Sequence, residues 1–257
     1  MAEKKVSLNS MEVNKALFYK IVYDSTLDTH LRYNIGTYKE KKLHIMMKRY
    51  FEEDTEYHEV PINGYIADIC RDGVITEIQT GGFSGLKPKL AAYLNDYKVR
   101  LVYPLAYAKY ISWIDPTDGS VTSRKRSPKK ETIYTALFEM VRILPYVKND
   151  NLTVIVPFLE VDEYRLLDGW SRDKKRGSHR YERIPTELFK IEEIYTNADY
   201  ARYIPEDCET NFTRADLAKA AHISLRDAGG ILSVYIERGL IVQTGKRGNA
   251  HLYSRVM

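Results

Sequence analysis

The stretch "YIADICRDGVITEIQT", residues 65–80, decides how this chain is read. Two apolar, strand-like runs flank Asp72-Gly73. An Asp-Gly pair between such runs is a strong short-range signal for a hairpin with a two-residue turn. The turn sets a register. Arg71 faces Val74, and counting back along both strands, Asp68 faces Glu77. Directly opposed residues hold their Cβ atoms roughly 4.5–5.5 Å apart, so two carboxylates meet on one face. Such a pair repels unless it titrates, finds cations or binds a metal. Side chains alternate along a strand, which places Gln79 on the same face as Glu77.

A third acid comes from upstream. Residues 38–53 have helical periodicity, with Leu43, Met46, Met47, Tyr50 and Phe51 on one stripe. At about 100° per residue, Glu40 falls about 60° from Leu43, inside that stripe, whereas Glu52 falls near 180°. Glu40 is therefore the helix acid that points toward whatever the helix packs on. Hard oxygen donors of this kind suit Mg²⁺, which usually takes one or two carboxylates plus substrate phosphate oxygens. The plainer alternative is a solvated hairpin whose acids pair with nearby Lys or Arg. A second helix is expected over about 85–97, with Leu86, Leu90, Tyr93, Leu94 and Tyr97 as its stripe, then a buried strand at 99–107.

A helix carrying Glu40, a strand carrying Asp68, a strand carrying "EIQ" (77–79), then a helix and a strand: this order resembles the core of the PD-(D/E)xK nuclease superfamily, over about residues 38–107. The resemblance implies a restriction endonuclease-like α/β core, a mixed sheet flanked by helices. It implies Mg²⁺ (or Mn²⁺) held by Asp68, Glu77, the Ile78 carbonyl and Glu40, and hydrolysis of a nucleic-acid phosphodiester. The departure is Gln79, which stands where the motif has Lys and cannot supply its charge. In some members a lysine from the following helix takes over, and "GLKPKL" offers Lys87 and Lys89 on either flank of that helix's apolar stripe. Their alternative role is that of solvated lysines near a helix start.

Farther along, a helix is expected at 131–144 and a strand at 152–161. Two basic segments, 122–130 and 168–183, read as loops; Arg124, Lys125, Arg126, Lys174, Lys175 and Arg176 are their candidate phosphate contacts. Trp113, Trp170, Tyr181 and His179 are candidates for stacking on bases. His44 and His58 lack zinc-site spacing and read as structural.

The last 60 residues look self-contained. Thr213/Asp216 and Ser224/Asp227 mark two helix starts, at 213–221 and 224–238, followed by the strands "LIVQT" and "AHLYSRV" around "GKRGN". Two helices and then a hairpin is the order of a winged helix-turn-helix. The expected domains are thus 1–196, nuclease-like, and 197–257, winged helix. Arg226 and Ser233 on the second helix and Lys246 and Arg247 in the wing are the DNA-facing candidates. Residues 196–257 carry eight cations and seven acids, so this module's field is weak.

Composition sets outer limits. The chain has 257 residues, 44% hydrophobic, enough for a real core, and a net charge of +4 that permits an anionic partner without demanding one. Cys70 and Cys208 are far apart, and no run reaches 18 apolar residues. The expectation is a soluble, cytoplasmic protein with no membrane partner. Its partner would be DNA, duplex in the first instance, cut by a dimer if each chain has one site. The competing readings are a non-catalytic DNA-binding regulator built on a nuclease-like scaffold, and an adaptor whose winged helix mediates self-association.

Overall fold

Asp72 and Gly73 both have positive φ, 50° and 74°, as a type I′ turn requires. The strands they join are β3 (Tyr65–Arg71) and β4 (Val74–Ile78); β1 is the short N-terminal Ser10–Met11. The ladder pairs Arg71 with Val74, Cys70 with Ile75 and Ile69 with Thr76, the register that the turn dictates. Asn63 (φ 48°) and Gly64 (φ 81°) have the same conformation just upstream. They join β2 (His58–Ile62) to β3. That Asn-Gly signal extends the hairpin into a three-strand meander.

This computed structural model describes residues 10–27, 41–169 and 177–256. Glu40, Trp170, Lys174, Lys175 and Arg176 lie outside them. The chain is mixed α/β, with a large mixed sheet flanked by helices. It divides into two compact units. The first draws on residues 1–58, 104–131 and 157–191, the second on 59–103, 132–156 and 192–257. The C-terminal residues therefore share a unit with the acidic hairpin, whereas the sequence suggested a boundary near 196.

In the second unit, β4 pairs in parallel with β5 (Lys98–Val102), and β5 in parallel with the start of β8 (Leu152–Leu166). Helix α3 (Lys87–Tyr93) makes the β4–β5 crossover and buries Leu90 and Tyr93. The expected strand 99–107 is two strands, because Pro104 has no N–H to give a ladder: β5 ends at Val102, and β6 (Leu105–Ile114) begins in the other unit. Helix α4 (Ile133–Glu139) gives way to a 3-10 turn, Met140–Tyr146, containing Pro145.

The C-terminal elements follow the sequence closely. After α5 (Asn197–Ala201) comes β10 (Phe212–Thr213). Helix α6 (Arg214–Ala220) is capped by Thr213, which accepts from the Asp216 amide while Asp216 accepts from the Thr213 amide at 2.8 Å. Helix α7 (Leu225–Glu237) is capped by Ser224. Strands β11 (Ile241–Arg247) and β12 (Ala250–Arg255) complete a small antiparallel sheet in the order β10-β12-β11. Helix α7 buries Ala228, Ile231, Leu232, Val234 and Tyr235. A Cβ on Gly230 would meet the Phe138 ring at 2.7 Å. Glycine is what lets α7 approach α4 so closely.

In the first unit, α1 (Lys15–Leu27) packs on α2 (Lys42–Phe51) through Phe18 against Tyr50, edge to face. Strand β8 pairs in parallel with β6, whose other edge takes the short β7 (Lys125–Arg126). The segment expected to be a basic loop up to residue 183 becomes, from 179, the long strand β9 (His179–Ile194). Its apolar residues Ile184, Leu188, Ile191 and Ile194 are spaced four, three and three apart among charges, so no period-2 alternation marks the strand.

Candidate active site

Every residue of the site lies in the second unit, on β3, at the carboxyl end of β4 and along α3. Open α/β sheets bind ligands at this end of their strands. Ile75 and Glu77 share one face of β4, and because β4 is covered on both faces, Glu77 is only 1% exposed. Asp68, half-buried on β3, accepts a hydrogen bond from the Ile78 amide through Oδ2 at 2.7 Å. That bond ties the two strands together beyond the ladder pairs and fixes the Asp68 carboxylate beside Glu77.

Lys89 comes from the first turn of α3. Its Nζ donates to Glu77 Oε1 at 3.1 Å and Oε2 at 2.9 Å, and to the Ile66 carbonyl at 2.8 Å. Lys87 is exposed. Of the two lysines that flank the helix stripe, packing selects Lys89. Gln79 donates its backbone N–H to Val102 at 2.8 Å. Its side-chain amide has no hydrogen-bond partner among the described residues.

The electrostatics follow from this geometry. Burial first, then the nearby Asp68 charge, push the Glu77 carboxyl up to about 7, while Lys89 pulls it down. With both carboxylates ionised the set Asp68, Glu77, Lys89 carries a net charge of −1, largely out of water. The Tyr93 hydroxyl adds a second feature. The ring is fully buried in the apolar stripe of α3, four residues after Lys89, and packs edge to face on Tyr65. Its oxygen is buried with no hydrogen-bond partner among the described residues. Burial and the Glu77 and Asp68 charges raise its pKa. A buried hydroxyl without a partner costs about 1–3 kcal/mol, so a polar guest beside the acids suits the site.

No group of three or more His, Cys, Asp or Glu side chains gathers among the described residues. A cation here would have Asp68 and Glu77 as its side-chain ligands, with the Ile78 carbonyl and water completing an oxygen shell. The residues fit a hard divalent ion: two adjacent carboxylates, one of them strained by its neighbour's charge, and an unsatisfied hydroxyl. The sequence did not single out Tyr93 as polar machinery; its i,i+4 spacing from Lys89 is the signal that would have found it.

The other candidates are placed as follows. Arg124 is held by Asp162 at 2.7 Å and Glu160 at 2.8 Å and lies on the Tyr110 ring. A phosphate would have to displace two carboxylates to reach it. Lys125 and Arg126 are exposed on β7. Arg226 is exposed, with its guanidinium over the Phe138 ring, while Ser233 turns back to the Gly229 carbonyl. Lys246 and Arg247 stand at the β11–β12 tip, Arg247 bonded to the Asn211 carbonyl. His58 contacts the Glu52 carbonyl at 2.9 Å, a structural bond. His179 pairs with Asp168 at 2.8 Å.

Residues 41–195 match the family described as Domain of unknown function (DUF8091). An "Uncharacterized protein" of Treponema pallidum (strain Nichols) is 26% identical over 223 residues, covering 86% of this chain and 87% of the relative. At that length the similarity must run past residue 195, into the C-terminal elements. No solved structure matches. No helix among the described residues is long and apolar enough to cross a membrane.

Proposed function

We propose that this chain, which belongs to the DUF8091 family, is a metal-dependent nuclease of the PD-(D/E)xK type. The observation that carries the reading is Lys89. Its ammonium stands 2.9 Å from Glu77, supplying from α3 the positive charge that Gln79 cannot. Asp68, Glu77 and the Ile78 carbonyl would hold Mg²⁺ or Mn²⁺. When bound, the ion lowers the pKa of a coordinated water and offsets charge on the phosphoryl oxygens.

The chain's own residues do the rest. Asp68 and Glu77 are fixed by the Ile78 amide and by Lys89, so the carboxylates are preorganised. Lys89 opposes the rise that burial and Asp68 impose on the Glu77 carboxyl and sits where charge grows on a bound phosphate. The Gln79 amide, on the same strand face as Glu77, can donate to or accept from the attacking water. The Tyr93 hydroxyl, which has no hydrogen-bond partner among the described residues, is available to orient that water.

The duplex would be recognised through the C-terminal piece. Its strand, two helices and hairpin support a winged-helix reading, with Lys246 and Arg247 at the wing tip. Because α7 is packed along most of its circumference, the wing and the exposed Arg226 carry more of the proposed contact than the rest of that helix. DNA is the proposed partner, with a dimer for double-strand cutting.

The test is cleavage of duplex and single-stranded DNA with Mg²⁺ or Mn²⁺ by wild type, Asp68→Ala and Glu77→Ala. Activity in the wild type alone supports the reading; equal cleavage by all three places the chemistry elsewhere. One feature favours the non-catalytic regulator: Lys89 already satisfies both Glu77 oxygens. Calorimetry with Mn²⁺ separates the two, since a regulator without metal affinity gives no saturable heat.

A further inference from the structure

An aromatic cluster in the first unit has no part in the proposed cleavage. Between β6 and β8, Leu105 pairs with Phe158, Ala106 with Leu159 and Ala108 with Glu160. Tyr107 is therefore an extra residue on β6, a β-bulge. A bulge re-aims a side chain, and Tyr107 is 39% exposed. Its ring meets the buried Phe158 ring at 6.0 Å and the Phe189 ring of β9 at 5.8 Å, both edge to face. Phe189 is 43% exposed. Two large rings thus stand side by side, each with a face in water.

Cations frame them. Lys130 Nζ lies 5.2 Å from the centre of the Tyr107 ring, and Lys190 Nζ 4.4 Å from that of Phe158. The segment leading to Lys130 adds Lys125 and Arg126 on β7, which pairs with β6, and then Lys129. These three are exposed and form no ion pair among the described residues. By alternation Phe158, Glu160 and Asp162 share one face of β8, and Arg124 holds both carboxylates, at 2.8 and 2.7 Å. Glu131 is taken up by the Ala106 amide and Arg183, and Glu187 by Lys15 and Tyr19. The cations on the other face of β8 are engaged. Glu163, 1% exposed, accepts from Arg165 at 2.8 Å, Arg183 at 3.2 Å and Lys109 at 3.3 Å. Six cations (Arg124, Lys125, Arg126, Lys129, Lys130, Lys190) and two carboxylates leave the aromatic face at +4, as large as the net charge of the whole chain.

A nucleic-acid single strand offers a π-face to each exposed ring and a phosphate to each neighbouring cation, the combination that sequence-tolerant single-strand binding uses. A duplex hides its base faces, so the rings add nothing for it. Both rings are more than half covered and lean on each other, so neither projects far enough to anchor in a bilayer. We infer that this face binds single-stranded nucleic acid, with bases stacked on Phe189 and Tyr107 and phosphates met by Lys130, Lys190 and the β7 segment. The surface is independent of the nuclease reading: none of its residues belongs to the Asp68–Glu77–Lys89 set, and its binding needs no metal.

The experiment is fluorescence anisotropy of a labelled oligothymidylate titrated with the full chain in EDTA. The expected result is saturable binding, weakened about tenfold in Phe189→Leu, the scale of one lost base stack, and kept within about twofold in Phe189→Tyr. Both variants keep a bulky side chain at an exposed position, so this contrast cannot come from misfolding. Lys125→Gln combined with Lys129→Gln should flatten the slope of log affinity against log salt by about 1.4, two phosphate contacts on a single strand. A labelled oligouridylate identifies the source: binding of either polymer supports the surface, and the tighter one names the sugar. Equal affinity in wild type and Phe189→Leu, or displacement by duplex as readily as by single strand, overturns the proposal. So does Phe189-dependent binding to phosphatidylserine vesicles without affinity for either polymer, which assigns the face to a membrane.

Discussion

Replacing Glu77 by Gln removes a buried charge while keeping the side chain's shape. The folded Glu77 carboxyl titrates at about 7 against an ordinary 4.5. That rise corresponds to about 3 kcal/mol. Because the folded pKa is raised, the associated stability is fully present below pH 4.5 and is lost as pH rises through 7. The wild type in EDTA therefore loses about 3 kcal/mol from this group between pH 4.5 and pH 8. Glu77→Gln has no such slope. At pH 8 the variant avoids the buried charge, and because the attraction of Lys89 is already contained in the raised pKa, its net gain is about 3 kcal/mol. At pH 5 the two proteins have nearly equal stability. Urea unfolding at four pH values measures the difference, and subtraction cancels every other titrating group. Adding Mn²⁺ at pH 8 should stabilise the wild type and leave Glu77→Gln unchanged. A wild-type minus variant difference that stays flat from pH 4.5 to 8 would refute the reasoning: Glu77 would not then be held ionised against burial.

Lys89→Ala should reduce Mg²⁺-dependent cleavage by about 10²–10³-fold, the scale of losing one charge-stabilising donor, while Lys87→Ala leaves the rate within twofold; steady-state cleavage of a labelled duplex checks both. Gly230→Ala drives a Cβ into the Phe138 ring and should cost about 1–3 kcal/mol, read as a lower urea midpoint with cleavage per folded molecule unchanged. At Glu163 burial pushes the carboxyl up, but Lys109, Arg183 and Arg165 outweigh it and hold it at about 2. Its stability contribution, about 3 kcal/mol, is present above pH 4.5 and lost as pH falls through 2. Glu163→Gln should therefore destabilise the protein at pH 6 by several kcal/mol, leaving Lys109 and Arg183 without their shared carboxylate, with the deficit shrinking toward pH 2 in acid titration followed by circular dichroism.

The sequence alone determined the features that a few neighbouring residues decide. Asp72-Gly73 sets the hairpin register because both residues adopt positive φ, which Asp and Gly tolerate. Thr213 with Asp216, and Ser224, start their helices because each hydroxyl sits within reach of an unsatisfied amide. The Asn63-Gly64 turn and the Thr196/Asp199 capping box were equally legible. Longer elements blurred where apolar residues lay among charges without a strand period, as in β9, or where Pro104 divided one apolar run into two strands. Tertiary structure decided which groups lose water. Lys87 and Lys89 are alike in sequence, and only the packing of α3 against the sheet brings Lys89 onto Glu77. Tyr93 reads as one more apolar residue until its buried hydroxyl is found near two acids with no hydrogen-bond partner among the described residues. Lys109, Glu163 and Arg183 are separated by up to 74 positions, and three paired strands make them one cluster. Turn and cap chemistry acts through bonds within four residues, whereas desolvation and charge–charge energy depend on what the rest of the chain places nearby.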